Sequence, residues 1–585
     1  MKDNDVKSIA DDSCQQRQHD HESATFSRSL QLAVARGMDF SQIELRYRAE
    51  GNANLVLALP QFRKVLRLPK MSINHDDDDD DNDDTPKQHQ STSGMAEQQQ
   101  QEEYKQQQQN LLLGAKGTNR HNVLASIGVL TMADYVGYID VVRRFLGNEL
   151  IFEAEIIEIP CVEQRKWIND TIRPFRPPQR LDKEFCGQFG LILPDATLLP
   201  EANVLFSNLQ AMLARTSGDV YAIEIKPKQG WLLPSDVHDL FCMKPTTTAT
   251  KTATTSTTTC ARNKTATRCR YCAMQYLKLK RHKISARSLY CPIELFSGIP
   301  ARMFSALSAL LECPQNNLRI FRNGNLIYGD HSTSISWHEL RMDVFKGDML
   351  QIVQHLVVTC LLRNYGAEGT TTATTESGTK SVAVAVVDAV AGQPHSSATI
   401  EEEELAMAGP KCVKKRKLEL ELDSASRRTN EIRAQISEAE LLCLPKNSVL
   451  QKVLHFQLLA KHHLLYMSSS EFANNSTKSY ITLAKLLANA AEVSLAELSP
   501  EQQYLLGATV LDCSLMIAFQ EITADASLPY SPHLVHLPEH QKSFLTKVTL
   551  LDLDPKPDSH FNKYIKQTSE AYQCLEEFLS QELSK

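Results

Sequence analysis

Three low-complexity tracts decide what this 585-residue chain can build. Residues 72–110 pass from an aspartate run at Asp76 to Asp81 into a glutamine-rich stretch, and 245–267 is rich in threonine. Residues 366–431 are rich in Thr, Ser and Ala and contain the basic run Lys411-Cys-Val-Lys414-Lys415-Arg416-Lys417. Such compositions bury too little apolar surface to offset the entropy of ordering a chain, so all three are expected to be disordered. Residues 1–38 are polar and expected to be disordered as well. What remains are ordered blocks at 39–71 and 111–243, and at 268–365 and 432–585. Closure entropy grows only logarithmically with loop length, so these blocks read as one folded unit split by three insertions. Apolar periodicity in Val449–Leu465, Tyr480–Ala491 and Pro500–Leu506 predicts a mainly helical last block, and short alternating runs earlier predict strands. The fold class is therefore α+β.

The net charge of -7 rests on the acidic tract. Without Asp76 to Asp81, Asp83 and Asp84 the chain has 62 acidic against 63 basic residues. A bulk basic surface for nucleic acid is not indicated, and any anion site has to come from local placement. The 14 cysteines follow no repeated spacing, which predicts reduced intracellular thiols. Met1 to Ala24 has no apolar core for a signal peptide, and no stretch approaches the ~20 apolar residues of a membrane span. A soluble intracellular monomer is expected. The run Lys414–Lys417 reads as a nuclear import signal or a solvated linker, which gives nucleus and cytoplasm as the expected compartments.

Cations recur in the ordered blocks. Glu224-Ile-Lys226-Pro-Lys228 reads as a strand end, where alternation would point both lysines the same way and Pro227 would favour a sheet edge or a cleft. Arg270 and Lys278 are eight residues apart, about 80° around a helix, so both can lie on one side. Near the N-terminus, strands at 45–48 and 55–59 flank a small-residue turn containing Gly51, Asn52 and Asn54, and a third strand carries Arg67. The turn fits a plain hairpin, or a cover for nucleotide phosphates whose backbone N–H groups approach the ligand closely. Asn316 and Asn317 precede a hairpin about Asn323-Gly324, as turn residues or as amide donors. Asp512 is either an N-cap for a helix over Cys513–Phe519 or a functional carboxylate. Asp552 follows the strand-like run Val548–Leu551, a placement suited to a metal ligand, with Asp554 nearby as a second candidate.

Taken in order, Arg48-Ala-Glu-Gly51-Asn-Ala-Asn-Leu-Val56, Glu224-Ile-Lys-Pro-Lys228, Arg270-Tyr-Cys, Pro314-Gln-Asn-Asn-Leu-Arg319, Asp512-Cys-Ser-Leu-Met-Ile517 and Leu551-Asp-Leu-Asp-Pro-Lys-Pro557 resemble the inositol-pentakisphosphate 2-kinase family. The resemblance covers the ordered blocks. It implies a two-lobed, divergent kinase-like fold that uses ATP and Mg²⁺ to phosphorylate the 2-hydroxyl of inositol 1,3,4,5,6-pentakisphosphate. It further implies Asp512 as catalytic base and Asp552 as Mg²⁺ ligand. Lys226, Lys228, Arg270, Lys278, Asn316, Lys556 and Tyr564 would bind the inositide, and Gly51, Asn52, Asn54, Arg67, Glu224 and Asn317 the nucleotide. Arg176-Pro-Pro-Gln-Arg180 resembles a further phosphate-binding stretch, with the contacting arginine left open.

The chain departs from the family at Ala49, where glycine is usual, at Met274, where a substrate-contacting histidine is expected, and at His560, where some members have arginine and Lys563 compensates. Some members carry a Cys/His zinc site. Here Cys269/Cys272 has no second pair, and His455, His462 and His463 lack cysteine partners at zinc spacing, so no structural zinc is expected. A catalytically inactive inositide-binding relative acting as a nuclear scaffold is the competing reading. A protein kinase does not fit, since a His-Arg-Asp loop and an Asp-Phe-Gly segment are both missing.

Overall fold

A computed structural model describes residues 40–51, 53–72, 130–200, 214–216, 218–233, 269–329, 334–366, 443–475, 479–488, 494–524 and 531–583. Asn52, the basic run 411–417, residues 1–39 and nearly all of the three low-complexity tracts lie outside the described residues. The chain divides into two compact units, one of 1–198 with 477–492, the other of 199–476 with 493–585. No helix among the described residues is long and apolar enough to cross a membrane.

The first unit is built on an antiparallel sheet of five strands: β1 Arg46–Glu50, β2 Asn54–Leu59, β3 Lys64–Pro69, β4 Glu155–Glu158 and β5 Phe189–Pro194. Their order is β1-β2-β3-β5-β4. Alternation along β2 and β3 buries Leu55, Leu57, Leu59, Leu66 and Leu68 against Ile168 and Ile172. Those two isoleucines come from helix α2, Val162–Ile172. Helix α1, Met132–Leu146, starts at a capping box in which Thr131 and Asp134 each satisfy the other's backbone N–H. A helix over Ile481–Ala488 returns to this unit, packs on α1, and buries Leu483 and Leu486.

Beneath the β1–β2 turn lies a buried charge cluster. Arg176 grips Glu50 bidentately, Nε to Oε1 at 3.1 Å and a terminal nitrogen to Oε2 at 2.9 Å, and Lys70 also donates to Glu50. The Glu50 and Arg176 side chains are fully enclosed. Burial drives the Lys70 ammonium down, and the Glu50 carboxylate opposes that shift. Arg176 is thus committed within the fold, with further bonds to the carbonyls of Arg180 and Lys183. One carboxylate is shared by two buried cations here, so Glu50→Ala should cost about 3–5 kcal/mol of first-unit stability. Hydrogen exchange of the β1–β3 amides measures this, and unchanged protection would deny the cluster its structural role.

The second unit is organised by a seven-stranded sheet. Its strands are β6 Ala214–Thr216, β7 Tyr221–Ile225, β8 Leu318–Arg322, β9 Asn325–Tyr328, β10 Ser514–Ala524, β11 Leu534–Leu537 and β12 Lys542–Leu551. The main path is β9-β8-β7-β10-β12-β11, with β6 also paired to β10. The hairpin about Asn323-Gly324 forms as expected, with Asn323 at φ 48° and Gly324 at φ 80°. Two alternatives left open by the sequence are decided. Cys513–Phe519 is not a helix, because Ser514–Ala524 is a long interior strand, and the last block holds three strands beside its helices. Pro227 does not mark a sheet edge either. It follows the final rung of β7, a central strand, where a missing N–H costs no ladder bond.

Helices of this unit include α3 Arg270–Lys280, α4 Pro300–Glu312, α5 Met349–Leu362, α6 Val449–His462, α7 Pro500–Val510 and α8 His560–Leu583. Gly507 permits a close crossing of α7 over α6. A Cβ there would come within 2.4 Å of the Ala460 nitrogen and 2.7 Å of the Phe456 carbonyl oxygen.

Candidate active site

Strand register gathers the polar residues at one end of the second unit's sheet. Ile225 closes β7 opposite both Leu318 and Leu515, and Ser514 pairs with Leu551, the last residue of β12. The loop residues that adjoin these strand ends are thereby brought to one place. Lys226 Nζ donates to Asp552 Oδ2 at 2.7 Å, and Lys228 Nζ to Asp512 Oδ1 at 2.7 Å. Ser514 Oγ lies 2.8 Å from both Glu224 Oε1 and Asp552 Oδ2. Arg319 on β8 donates to Glu224 Oε2 at 3.3 Å.

The lysines do not reach the site by strand alternation, since β7 ends at Ile225. Lys228 takes a left-handed conformation at φ 58°, and so does Asp552. Such backbone costs about 1–3 kcal/mol per non-glycine residue and needs an over-determined setting. For Lys228 that setting is Gln457 of α6, which is fully buried. Its Nε2 donates to the Lys228 carbonyl at 2.8 Å, and its Oε1 accepts from Gly230 N at 2.8 Å. The Tyr290 hydroxyl holds the Pro227 carbonyl at 2.8 Å from another direction.

Burial would raise the Asp512 carboxyl, but the ammoniums of Lys228, Lys226 and Lys556 outweigh it and hold the group below its ordinary value. Asp512 stays a carboxylate while its side chain remains 56% exposed. At Lys226 burial pulls the ammonium down, and Asp552, Glu224 and Asp512 together push it above the usual lysine range. Lys278 moves the other way: burial and the charge of Lys228 lower it. This places Lys278 in the same electrostatic neighbourhood as Lys228 and Asp512.

Arg270 opens α3. Its Nε donates to Thr568 Oγ1 at 2.7 Å, and its guanidinium carbon lies 4.5 Å from the centre of the Tyr564 ring. Tyr564 itself is buried, with its hydroxyl donating to Gln229 Oε1 at 2.8 Å. Tyr564 thus forms a floor beneath Arg270. Asn317 is 1% exposed, donates from Nδ2 to the Tyr271 hydroxyl at 2.9 Å, and accepts from Lys226 N at its carbonyl. Asn316, beside it, is exposed. In the first unit, Gly51 N donates to the Asn54 carbonyl at 2.9 Å, and a Cβ on Gly51 would meet no atom within 4 Å. Nothing within the unit therefore requires a glycine at that place. Arg67 lies over the Tyr135 ring at 5.7 Å.

Sequence reasoning did not assign Ser514, Arg319 or Gln457. Ser514 follows Asp512 by two residues, a signal legible only once a strand is placed there. Gln457 carries no signal, being one polar residue on an otherwise apolar helix face. The pair Cys269/Cys272, expected to stand alone, has a third thiol beside it, Cys291, at 3.7 Å from Cys269. A cavity of 650 Å³ lined by Phe304, Arg341, Phe345, Gln354 and His355 shares no residue with the aspartate–lysine cluster.

Lysines interleaved with carboxylates at one sheet end are the makings of a site for a polyanion and a divalent cation. The sequence pattern of the inositol-pentakisphosphate 2-kinase family matches residues 47–570, and the chain belongs to that family. It is 44% identical over 373 residues to an inositol-pentakisphosphate 2-kinase of Drosophila melanogaster, a match spanning 57% of this chain and 56% of the relative. It is 27% identical over 451 residues to one of Danio rerio, spanning 73% and 80%, and 34% identical over 119 residues to one of Arabidopsis thaliana, spanning 20% and 22%. The match to the Drosophila relative thus takes in little more than half of that protein's length.

His560 shows how crowded the site's cationic side is. Burial, with Lys556 and Arg270 adding to it, presses its imidazole down to about 3, and the Tyr504 hydroxyl lies 3.1 Å from its Nδ1. The unfolded chain takes up this proton near pH 6.5 and the folded chain only near its depressed value, so stability is full above that window and falls as pH drops through it. His560→Gln should flatten that fall by about 1.4 kcal/mol per pH unit. Urea titrations between neutral and acid pH test this, and an unaltered slope would assign the acid sensitivity to other groups.

Proposed function

We propose that this chain transfers the γ-phosphoryl group of ATP to the 2-hydroxyl of inositol 1,3,4,5,6-pentakisphosphate. The observation that carries the reading is the paired geometry of Lys226–Asp552 and Lys228–Asp512 at one sheet end, in a chain of this family. Asp512 is the base: it is ionised, exposed, and held in place by Lys228, so it can accept the hydroxyl proton as the phosphoryl group arrives. Lys226, Lys228, Arg270, Lys278 and Lys556 bind the inositide phosphates, with Arg270 offering a planar fork and the lysines mobile point charges. Tyr564 positions Arg270 from below.

Asp552 and Glu224 suit Mg²⁺, since their carboxylate oxygens and Ser514 Oγ place three hard oxygen donors in one spot. When bound, the metal supplies charge neutralisation for the transferring phosphoryl group. Gly51, Asn54 and Arg67 of the first unit are assigned to the nucleotide, the open space above Gly51 being room for a phosphate. In this reading the first unit serves as the N-lobe and the second as the C-lobe of a divergent kinase-like fold.

Asp512→Asn should lower turnover of inositol pentakisphosphate about 10²–10⁴-fold and leave inositide binding within a few-fold of wild type. Near wild-type turnover would remove Asp512 as the base. Lys226→Ala should weaken inositide binding about 10–100-fold, the worth of one or two charge-assisted contacts. The deficit should shrink as salt rises, because the binding is electrostatic. Calorimetric titration at two ionic strengths reads both effects, and an unchanged affinity would refute the assignment.

A further inference from the structure

The tip of the β11–β12 hairpin meets α5 at a group of metal-ligating side chains that the aspartate–lysine cluster does not use. Leu537 pairs with Lys542, so residues 538–541 form a tight connection. It is closed by Gln541 N donating to the Pro538 carbonyl at 3.1 Å, with Gln541 at φ 52°. Glu539 and His540 stand side by side on this turn, and His355 faces them from α5, amid the buried Ile352, Val353, Leu356 and Val357. His355 Nδ1 lies 2.7 Å from His540 Nε2 and 3.5 Å from Glu539 Oε1. One ligand atom from each of the three residues lies within 4.8 Å of the other two.

Three lone-pair donors thus converge on one point. In the His355–His540 contact one ring nitrogen donates and the other accepts, and that single proton cannot also hold Glu539 to both rings. Two imidazole nitrogens on a tetrahedral zinc at 2.0–2.1 Å would be separated by about 3.3 Å, which falls between the two distances observed. Two histidines and one glutamate are also a ligand set of zinc sites that keep a fourth position for water. The parts are held in place independently of the histidines. Arg363, just past α5, donates to the carbonyls of Leu534 and, at 2.7 Å, Ser531, which fastens α5 to β11. Phe304 of α4 packs on the His355 ring with centroids 4.6 Å apart and fixes its plane. The Glu539 side chain is 25% exposed, and His355 lines the 650 Å³ cavity, so an ion and its water have a way in.

We propose that His355, Glu539 and His540 bind one zinc ion, with water in the fourth position. β11 is the last strand of the main path and pairs on one side only, with β12. The ion clips this edge to α5. It also steadies the far end of β12, the strand that runs from this turn to Leu551, directly ahead of Asp552. On coordination, the histidine that donates in the hydrogen-bonded pair carries its proton on its other ring nitrogen instead, by exchange with solvent. No net proton is released and no oxidation state changes.

The test is zinc uptake by the full chain, stripped with a chelator, equilibrated with Zn²⁺, desalted and counted by elemental mass spectrometry. Wild type should retain about one zinc per chain more than His540→Ala and more than Glu539→Gln. Both changes sit on the turn and leave the packed His355 intact. Counting by difference cancels ions held elsewhere on the chain. Hydrogen exchange supplies a measure that needs no variant: zinc should slow the backbone amides of 537–542 in wild type. Equal zinc counts in wild type and His540→Ala would overturn the proposal, as would hairpin exchange that zinc leaves unchanged, and the histidines would then be a plain hydrogen-bonded pair. Neither readout involves phosphoryl transfer, so this site and the kinase reading stand or fall separately.

Discussion

Three carboxylates, Glu224, Asp512 and Asp552, are forced together by the hydrogen-bond register of β7, β10 and β12, and the structure depends on their being neutralised. Ser514 has one hydroxyl proton for two carboxylate oxygens at equal distance, so it relieves one repulsion at a time. The remainder falls to Lys226, Lys228 and Arg319. The cations proposed to bind the inositide are therefore also the partners of these carboxylates. A ligand and a divalent ion would take over each partner's role, phosphate oxygens at the lysines and metal at the carboxylates.

Precise exchange demands a rigid frame, and the frame is assembled from neutral groups. Gln457 joins Lys228 and Gly230 to α6. Its position relative to Asp512 is set in turn by the Gly507 crossing of α6 and α7, because α7 ends two residues before Asp512. Asn317, just ahead of β8, and Tyr290, ahead of the helical turn over Pro292–Leu295, clasp the same loop. Neutral hydrogen bonds suit this task, since they persist whether the charged groups face each other or a ligand. The left-handed backbone at Lys228 and Asp552 is strain held by that frame at the point where charge must be aimed.

Much of this was legible before any coordinates. The hairpin of β1 and β2, the third strand with Arg67, the Asn323-Gly324 turn, the helix from Arg270, and Asp552 at a strand end all follow from local turn chemistry and alternation. Cys513–Phe519 was not legible. An apolar run of that length suits a buried strand or a helix equally, and the pairing with β12 and β7 decides it. The position of Pro227 depends on where the ladder stops, which is a tertiary matter. Ser514, Gln457 and the approach of Cys291 to Cys269 are contacts between segments distant in sequence, and one sequence carries no signature of them. Glu50, Lys70 and Arg176 illustrate the same limit, for Arg176 stood in a motif that suggested phosphate binding while the fold uses it to neutralise a glutamate.

The helix over Ile481–Ala488 packs on α1 of a unit whose other described segments all precede residue 200. During synthesis, the sheet β1–β5 and helices α1 and α2 leave the ribosome long before the segment that covers α1. At about 5–20 residues per second, that face of α1 waits tens of seconds for its partner. The second unit is split by the same excursion, so neither unit can be completed before the other has largely been made. A chain arranged this way matures as a whole, and a truncation ahead of residue 477 would leave both units open rather than one intact and one missing.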